Sequence, residues 1–246
     1  MKGSNMINTI LFDLDGTLLP IELEDFQNVY LGALTKKFSD LVEPKELIKM
    51  IMASTQKMVL NTDKVKNELV FMDTLKSFIG EDDLKVYQER FLDFYNNEFI
   101  ALKDVIRPNL EIREAVSLLK EKGYELIVAT NPMFPQIAIE KRIKWAGFEP
   151  NEFIYMSTFE KNHYCKPNLD YYKEVLADNQ KLPHECMMVG NDPFEDMIAS
   201  KLGLKTYLIT NHLVQRNHSL NADYRGEYHD FLTFVKGMPT VESDGE

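Results

Sequence analysis

The stretch Ile10–Thr17, with the sequence ILFDLDGT, decides the fold of this chain. The run from Ile7 to Phe12 ends abruptly in two carboxylates one residue apart, Asp13 and Asp15. A short apolar run of this kind is typical of a strand that is buried on both faces in a parallel sheet. An unpaired carboxylate is costly to bury, so both charges must emerge at the strand's carboxyl end, or meet a cation, or both. In open α/β sheets, ligands bind at that edge.

The chain from residue 106 onward alternates between helical and strand patterns. Helices are predicted at 109–122, 134–146, 169–178 and 193–202, and strands at 124–130, 153–157, 186–189 and 205–210. Short strands that alternate with helices of ten or more residues indicate parallel pairing through right-handed crossovers. The first strand therefore belongs to a doubly wound α/β core.

Residues 20–105 have a different character. Helical patterns occupy 22–38, 44–60, 65–79 and 81–100, and apolar residues three and four apart predict a small helical bundle. We assign the aromatic side chains of these helices to the core of the bundle rather than to a ligand site. The predicted fold is a discontinuous α/β core, residues 1–19 and 106–246, with a helical domain, residues 20–105, inserted after the first strand.

Composition narrows the possible functions and location. The formal charge of -11 argues against a protein that binds nucleic acid nonspecifically, since such proteins are basic. No run of 18 apolar residues occurs, so no membrane span is expected, and residues 1–5 lack the apolar core of a signal peptide. Two cysteines without a spaced framework suit a reducing compartment and no zinc site. We therefore expect a cytoplasmic protein.

The motif DLDGT at 13–17 resembles the nucleophile motif of the haloacid dehalogenase superfamily, most of whose members are Mg²⁺-dependent phosphohydrolases. Many of them carry a helical cap at this insertion point. The resemblance implies that Asp13 is a nucleophile that forms an aspartyl-phosphate. It also implies that Asp15 is the general acid and then the general base. Dehalogenases of the superfamily lack the second Asp, so Asp15 favours phosphate chemistry. The alternative is that both are turn residues before Gly16.

Two further segments match the superfamily's motifs in order. Thr130 ends a predicted strand, and the resemblance implies that its hydroxyl binds the transferring phosphoryl group, with Asn131 beside it. The alternative for Thr130 is a turn or cap hydroxyl. Lys166, followed by Pro167, matches the lysine whose ammonium balances charge between nucleophile and phosphate. Lys161 is a weaker candidate for that role.

The segment Gly190–Asp196, GNDPFED, resembles the superfamily's acidic motif but departs from its commonest form. Asn191 stands where the first Asp often is, and Asp192 comes one residue later. The expected cofactor is Mg²⁺, held by Asp13, Asp15 and Asp192, with Asn191 as the alternative to Asp192. Asp196 is expected to fix Lys166 or a water molecule. Asp192 before a proline is also a suitable helix N-cap.

The sequence thus predicts a Mg²⁺-dependent phosphatase that cleaves a small phosphomonoester through an aspartyl-phosphate. A phosphomutase of the same fold is one alternative. A noncatalytic regulatory or binding protein is another, and Asn191 is the feature in its favour. The insertion matches no pattern that identifies the substrate.

Overall fold

The computed structural model describes residues 7–217 and 219–241. The expectation about residues 1–5 lies outside them. Six parallel strands form one sheet in the order β3-β2-β1-β4-β5-β6. Their bounds are Thr9–Phe12 (β1), Glu125–Val128 (β2), Tyr155–Met156 (β3), Cys186–Gly190 (β4), Lys205–Ile209 (β5) and Tyr224–Gly226 (β6). The predicted parallel α/β core is confirmed.

The strand β1 lies inside the sheet, between β2 and β4. Its side chains alternate between two hydrophobic clusters on opposite faces of the sheet: Ile10 and Phe12 belong to one cluster and Leu11 to the other. All three are fully or almost fully buried. The continuous apolar run of this strand therefore reflects burial on both faces, as the sequence predicted.

Four helices follow β1 before the chain returns to the sheet. They are α1 (Leu23–Lys37), α2 (Pro44–Val59), α3 (Asn67–Ile79) and α4 (Glu81–Asn96). The predicted helix at 81–100 is shorter, because a 3₁₀ helix, Glu98–Val105, takes over after Asn96. The buried side chains of this bundle are continuous with the cluster that covers one face of the sheet. The division of the chain into a core and a cap, at 19/20 and 105/106, remains our proposal.

The remaining helices cover both faces of the sheet. On the face of Phe12 lie α5 (Leu110–Glu121), α6 (Gln136–Trp145) and, at the end of the chain, a helix that we number α8 (Tyr228–Gly237). On the opposite face lie α7 (Leu169–Asp178) and a 3₁₀ helix, Met197–Leu202. The strand β6 and helix α8 lie beyond the last element that the sequence predicted.

The prediction of an α-helix at 193–202 is wrong. Residues 193–196 form a turn, and only the 3₁₀ helix follows. Carboxylates accept the backbone N–H groups of this turn. Asp192 accepts those of Phe194 and Glu195, and Asp196 accepts that of Asp192. Side-chain bonds of this kind compete with regular helix formation.

No helix within residues 7–217 and 219–241 is both long and apolar enough to span a bilayer.

Candidate active site

The sheet register brings three of the predicted site residues to one edge. Phe12 of β1 pairs with Val128 of β2 on one side and with Val189 of β4 on the other. The residues that follow these strands, Asp13, Thr130 and Asn191, therefore meet at the carboxyl edge of the sheet. This is the edge at which α/β sheets bind ligands.

Gly16 allows the chain to turn tightly after the two aspartates. Its φ of +80° lies in the left-handed region, and a Cβ at this position would lie 2.0 Å from Nδ2 of Asn191. The Asn191 amide therefore packs directly on the glycine backbone. Its Oδ1 accepts a hydrogen bond from Thr17 Oγ1 at 3.3 Å, and its Nδ2 donates to the carbonyl of His212 at 2.6 Å. Only glycine meets both demands at this position.

The ammonium of Lys166 is buried between two carboxylates. Its Nζ donates to Oδ1 of Asp13 at 3.0 Å and to Oδ1 of Asp196 at 2.6 Å. Burial lowers the pKa of Lys166, but the two carboxylates raise it well above its ordinary value, so the group stays charged. Burial raises the pKa of Asp13, Lys166 lowers it, and the nearby Asp15 carboxylate raises it. The arrangement holds Asp13 in one place with a cation at its side.

The segment that carries Lys166 is fixed by the side chain of Asn131. The Asn131 amide accepts the Lys166 backbone N–H at 3.2 Å and donates to the Lys166 carbonyl at 3.3 Å. Thr130 is buried, and its carbonyl accepts a hydrogen bond from the Tyr171 hydroxyl at 2.8 Å. Lys161, the weaker candidate, lies with its Nζ 4.4 Å from the centre of the Tyr155 ring. Lys166 is the lysine that reaches Asp13.

The carboxylate of Asp15 forms an ion pair with Arg142, which sequence reasoning missed. Arg142 is 1% exposed, and its guanidinium lies 4.5 Å from the centre of the Phe134 ring and 5.5 Å from that of Phe26. Burial raises the pKa of Asp15, whereas Arg142 lowers it. Helical periodicity could have indicated that Arg142 is buried, because it lies on the buried face of α6, next to Ile143.

The side chain of Asp192 is occupied by other partners. Its Oδ1 accepts the amides of Phe194 and Glu195 at 2.8 and 2.9 Å, and its Oδ2 forms an ion pair with Arg216. Arg216 also pairs with Glu195. Asp192 therefore accepts turn amides as a cap residue would, but no helix begins at Pro193. Arg216 was also missed, and a lone arginine in a loop gives no periodic signal.

Five carboxylates share three cationic groups in this region. The carboxylates are Asp13, Asp15, Asp192, Glu195 and Asp196, and the cationic groups are Arg142, Lys166 and Arg216. An anionic substrate at this edge thus needs a further positive charge.

The expected cation ligands, Asp13, Asp15 and Asp192 with Asn191 as the alternative, stay a prediction. Among residues 7–217 and 219–241, no three Asp, Glu, His or Cys side chains are grouped to hold a metal ion, so Asp13, Asp15 and Asp192 form no such group. Hard oxygens remain at Asp13 and Asn191, which follow neighbouring strands. A carboxylate and an amide oxygen suit Mg²⁺, which commonly takes one or two protein oxygens and keeps several waters.

A cavity of about 640 Å³ opens beside Asp15, between the four-helix bundle and the loops of the sheet edge. Asp15 and Asn191, which follow β1 and β4, are among its lining residues. Phe26 and Phe134 contribute to the wall, with ring centres 5.6 Å apart in a T-shaped arrangement. Some aromatic residues that the sequence assigned to the bundle core therefore also face a cavity. This volume is typical of small-molecule sites.

A family model described as haloacid dehalogenase-like hydrolase matches residues 7–212. Among curated proteins, a glyceraldehyde 3-phosphate phosphatase of Methanothermobacter thermautotrophicus is 25% identical over 220 residues, which cover 87% of this chain and 91% of that protein. The match therefore extends over nearly the whole length of both chains.

Solved structures of two reaction classes share the fold. One is a phosphatase of the same family from Thermococcus onnurineus, with a TM-score of 0.61 and 18% identity, covering 96% of this chain and 100% of that one. Another is a 2-haloacid dehalogenase from Pseudomonas syringae, with a TM-score of 0.62 and 16% identity, covering 94% and 98%. At this identity the likeness shows the fold alone, so the reaction must be argued from the site.

We expect Gly190→Ala to disturb the site through Asp196. A Cβ at Gly190 would lie 2.1 Å from Oδ2 of Asp196. That oxygen accepts the Asp192 amide, and the other oxygen, Oδ1, accepts Lys166 Nζ, so the carboxylate is held on both sides. Crowding of this kind costs about 1–3 kcal/mol, measurable by chemical denaturation. The control Gly32→Ala, in α1 with no atom within 4 Å, should stabilise the protein by about 0.5–1 kcal/mol. Equal stability of the two variants would contradict this account.

Arg142→Met should raise the pKa of Asp15, because the cation that lowers it is removed while burial remains. The measurement is a ¹³C NMR titration of side-chain carboxyls, with the Asp15 signal assigned from an Asp15→Asn protein. Lys144→Met, at an exposed position of the same helix, should leave the Asp15 titration unchanged. An unchanged or lower pKa of Asp15 in Arg142→Met would rule out the ion pair as a determinant of its protonation.

Proposed function

The chain belongs to the haloacid dehalogenase-like hydrolases, and on this premise we propose that it is a Mg²⁺-dependent phosphatase of small phosphomonoesters. The observation that carries the proposal is the buried ammonium of Lys166 between Asp13 and Asp196 at the carboxyl edge of the sheet. Phosphoryl transfer is catalysed mainly by positioning and by electrostatic stabilisation of the phosphoryl oxygens. An immobile nucleophile with a fixed cation beside it supplies both.

In the proposed reaction, an Asp13 oxygen attacks phosphorus and the bond from phosphorus to the ester oxygen breaks. Asp15 gives its proton to the departing oxygen, so the alcohol leaves neutral. Water then attacks the aspartyl-phosphate, Asp15 takes a proton from it, and the bond between Asp13 and phosphorus breaks to release inorganic phosphate. Asp15 returns to its starting form, and one water is consumed for each ester cleaved.

The environment of Asp15 suits a group that must both donate and accept a proton. Burial raises its pKa and so favours the protonated form, whereas Arg142 lowers the pKa and favours the carboxylate. Because these two effects oppose each other, Asp15 can adopt both the protonated and the ionised form. The Arg142 pair also orients the side chain, since a carboxylate bound through Oδ2 turns its other oxygen away from the guanidinium.

We propose that Asn191 and Asp13 hold Mg²⁺, and that Asp192 does not. Bound there, Mg²⁺ would neutralise charge on the phosphoryl oxygens and so offset the excess of carboxylates in the site. The amide and guanidinium partners of Asp192 support this assignment, because binding a metal would require it to give up Arg216. The Thr130 hydroxyl is the proposed neutral contact of the phosphoryl group. The Asn131 amide is proposed to act through the Lys166 segment and Glu195, to which it is bonded.

The presence of Asp15 favours a phosphatase over a dehalogenase, although both classes share the fold. Displacement of halide releases an anion that needs no proton, whereas an alcohol leaving from phosphate does. Asp15 also lines the cavity next to the site, where a leaving alcohol can be received.

Asp13→Asn should reduce turnover of a generic chromogenic phosphoester by about 10⁴-fold or more, because the amide is a poor nucleophile. The fold should survive, as shown by circular dichroism, but the melting temperature should fall, because Lys166 then keeps only Asp196 as a charged partner. Asp73→Asn, at an exposed position of α3, serves as the control and should keep full activity. Substantial turnover by Asp13→Asn would refute the nucleophile assignment.

The metal assignment predicts opposite behaviour for two neighbouring variants. Asn191→Ala should raise the Mg²⁺ concentration for half-maximal activity by at least about tenfold, because a ligand oxygen is lost. Asp192→Ser should change it little, since serine can still accept the turn amides. Calorimetric titration with Mg²⁺ checks both variants, and chelator should abolish wild-type activity. If Asp192→Ser alone raises the requirement, Asp192 is the ligand instead.

A further inference from the structure

We propose that the alcohol part of the substrate is an apolar group of aromatic size that bears no second negative charge and is favoured when it bears a positive one. This inference rests on the proposed phosphatase function, because it assigns the leaving group to the cavity beside Asp15.

The position of the cavity makes it the receiving site for the leaving group. Asp15 lines the cavity, and Asp15 is the residue proposed to protonate the departing oxygen. The rest of the alcohol must therefore extend from Asp15 away from Asp13 and Lys166. The cavity, with its volume of about 640 Å³, provides the space in that direction.

The wall of the cavity is mainly aromatic and aliphatic. Seven of its lining residues are Phe or Tyr, including Phe26 and Phe71. Phe71 packs against Phe159 with ring centres 5.6 Å apart, and Tyr30 packs against Phe134 at 5.4 Å. Rings fixed by such contacts form a preformed apolar site, which binds an apolar body through desolvation and edge-to-face contacts.

The charges on this wall have one sign. No Lys, Arg or His lines the cavity in the described part of the chain, whereas Glu68 and Glu160 do. Both carboxylate oxygens of Glu160 accept the backbone N–H of Gln136 at the start of α6, at 3.1 and 3.0 Å. Burial raises the pKa of Glu68, the neighbouring Glu160 carboxylate raises it further, and the Lys66 ammonium lowers it. Arg142 gives no compensation, since it is buried against Phe134 and paired with Asp15.

A second anionic group on the substrate would therefore lose hydration and meet carboxylates without any cationic side chain of the described lining. Such burial without a charged partner is strongly unfavourable. An ammonium group, by contrast, would meet Glu68, Glu160 and aromatic faces that attract cations. The site thus discriminates by the sign of charge on the alcohol part of the substrate.

The test compares three phosphoesters of similar shape: benzyl phosphate, 4-(aminomethyl)benzyl phosphate and 4-carboxybenzyl phosphate. We expect kcat/KM to fall in the order amine, neutral ester, carboxylate, with at least a tenfold difference between amine and carboxylate. In the double variant Glu68→Gln/Glu160→Gln, that ratio should fall about tenfold. The control Glu43→Gln/Glu46→Gln, at exposed positions outside the cavity, should keep the wild-type ratio. If kcat/KM for 4-carboxybenzyl phosphate equals that for benzyl phosphate, the proposal is overturned. An unchanged ratio of amine to carboxylate in the double variant would overturn it too.

A binding measurement separates this inference from the proposed function. Calorimetry of Asp13→Asn protein with 4-(aminomethyl)benzyl alcohol and with 4-(hydroxymethyl)benzoate reports on the cavity without catalysis. Tighter binding of the amine than of the benzoate, lost in Glu68→Gln/Glu160→Gln, supports the cavity assignment. If no ester releases phosphate, only the phosphatase function is refuted. Equal binding of both alcohols overturns the cavity assignment while phosphate release by the wild type still supports the phosphatase.

Discussion

The buried ammonium of Lys166 is the interaction on which the rest of this site depends. It joins Asp13, at the end of β1, to Asp196, in the turn after β4. Desolvation offsets much of the attraction within such a group, so it adds little net stability. Loss of one member, however, leaves a buried charge without a partner, at a cost of about 3–5 kcal/mol. The group therefore acts as a constraint that fixes three separate segments in one geometry.

The topology of the sheet makes this constraint possible. The chain builds the sheet outward from β1 in one direction through β2 and β3, and in the other through β4, β5 and β6. The loops on the two sides therefore diverge at the carboxyl end of β1 and leave a crevice there. Asp13 lies at that point of divergence. Asn131 arrives from the β2 side and bonds the Lys166 backbone, so both halves of the sheet position the same lysine.

The sequence predicts the features that depend on local pattern, but not the side-chain partners that come from distant parts of the chain. The run from Ile7 to Phe12 predicts a buried strand by itself, and the motif at 13–17 suggests the reactive residues. Periodicity shows that Arg142 lies on a buried helix face, but it cannot show that Asp15, 127 residues away in sequence, lies opposite. Asp192 illustrates the same limit. The adjacent proline suggested a helix cap, whereas the side chain holds the amides of a turn and pairs with Arg216 from a loop whose path no pattern describes.

The two ends of the proposed substrate site differ in electrostatic character, and this difference would orient the ligand. Lys166 stands beside the nucleophile at the phosphoryl end, whereas glutamates and aromatic rings line the cavity proposed for the alcohol. A phosphomonoester with an ammonium at its far end matches both ends in one orientation only. The formal charge of -11 acts in the same sense, since a zwitterionic ester is repelled less on approach than one with a second anionic group. Salt screens that field beyond about 8–10 Å, so the selection is made within the cavity rather than at a distance.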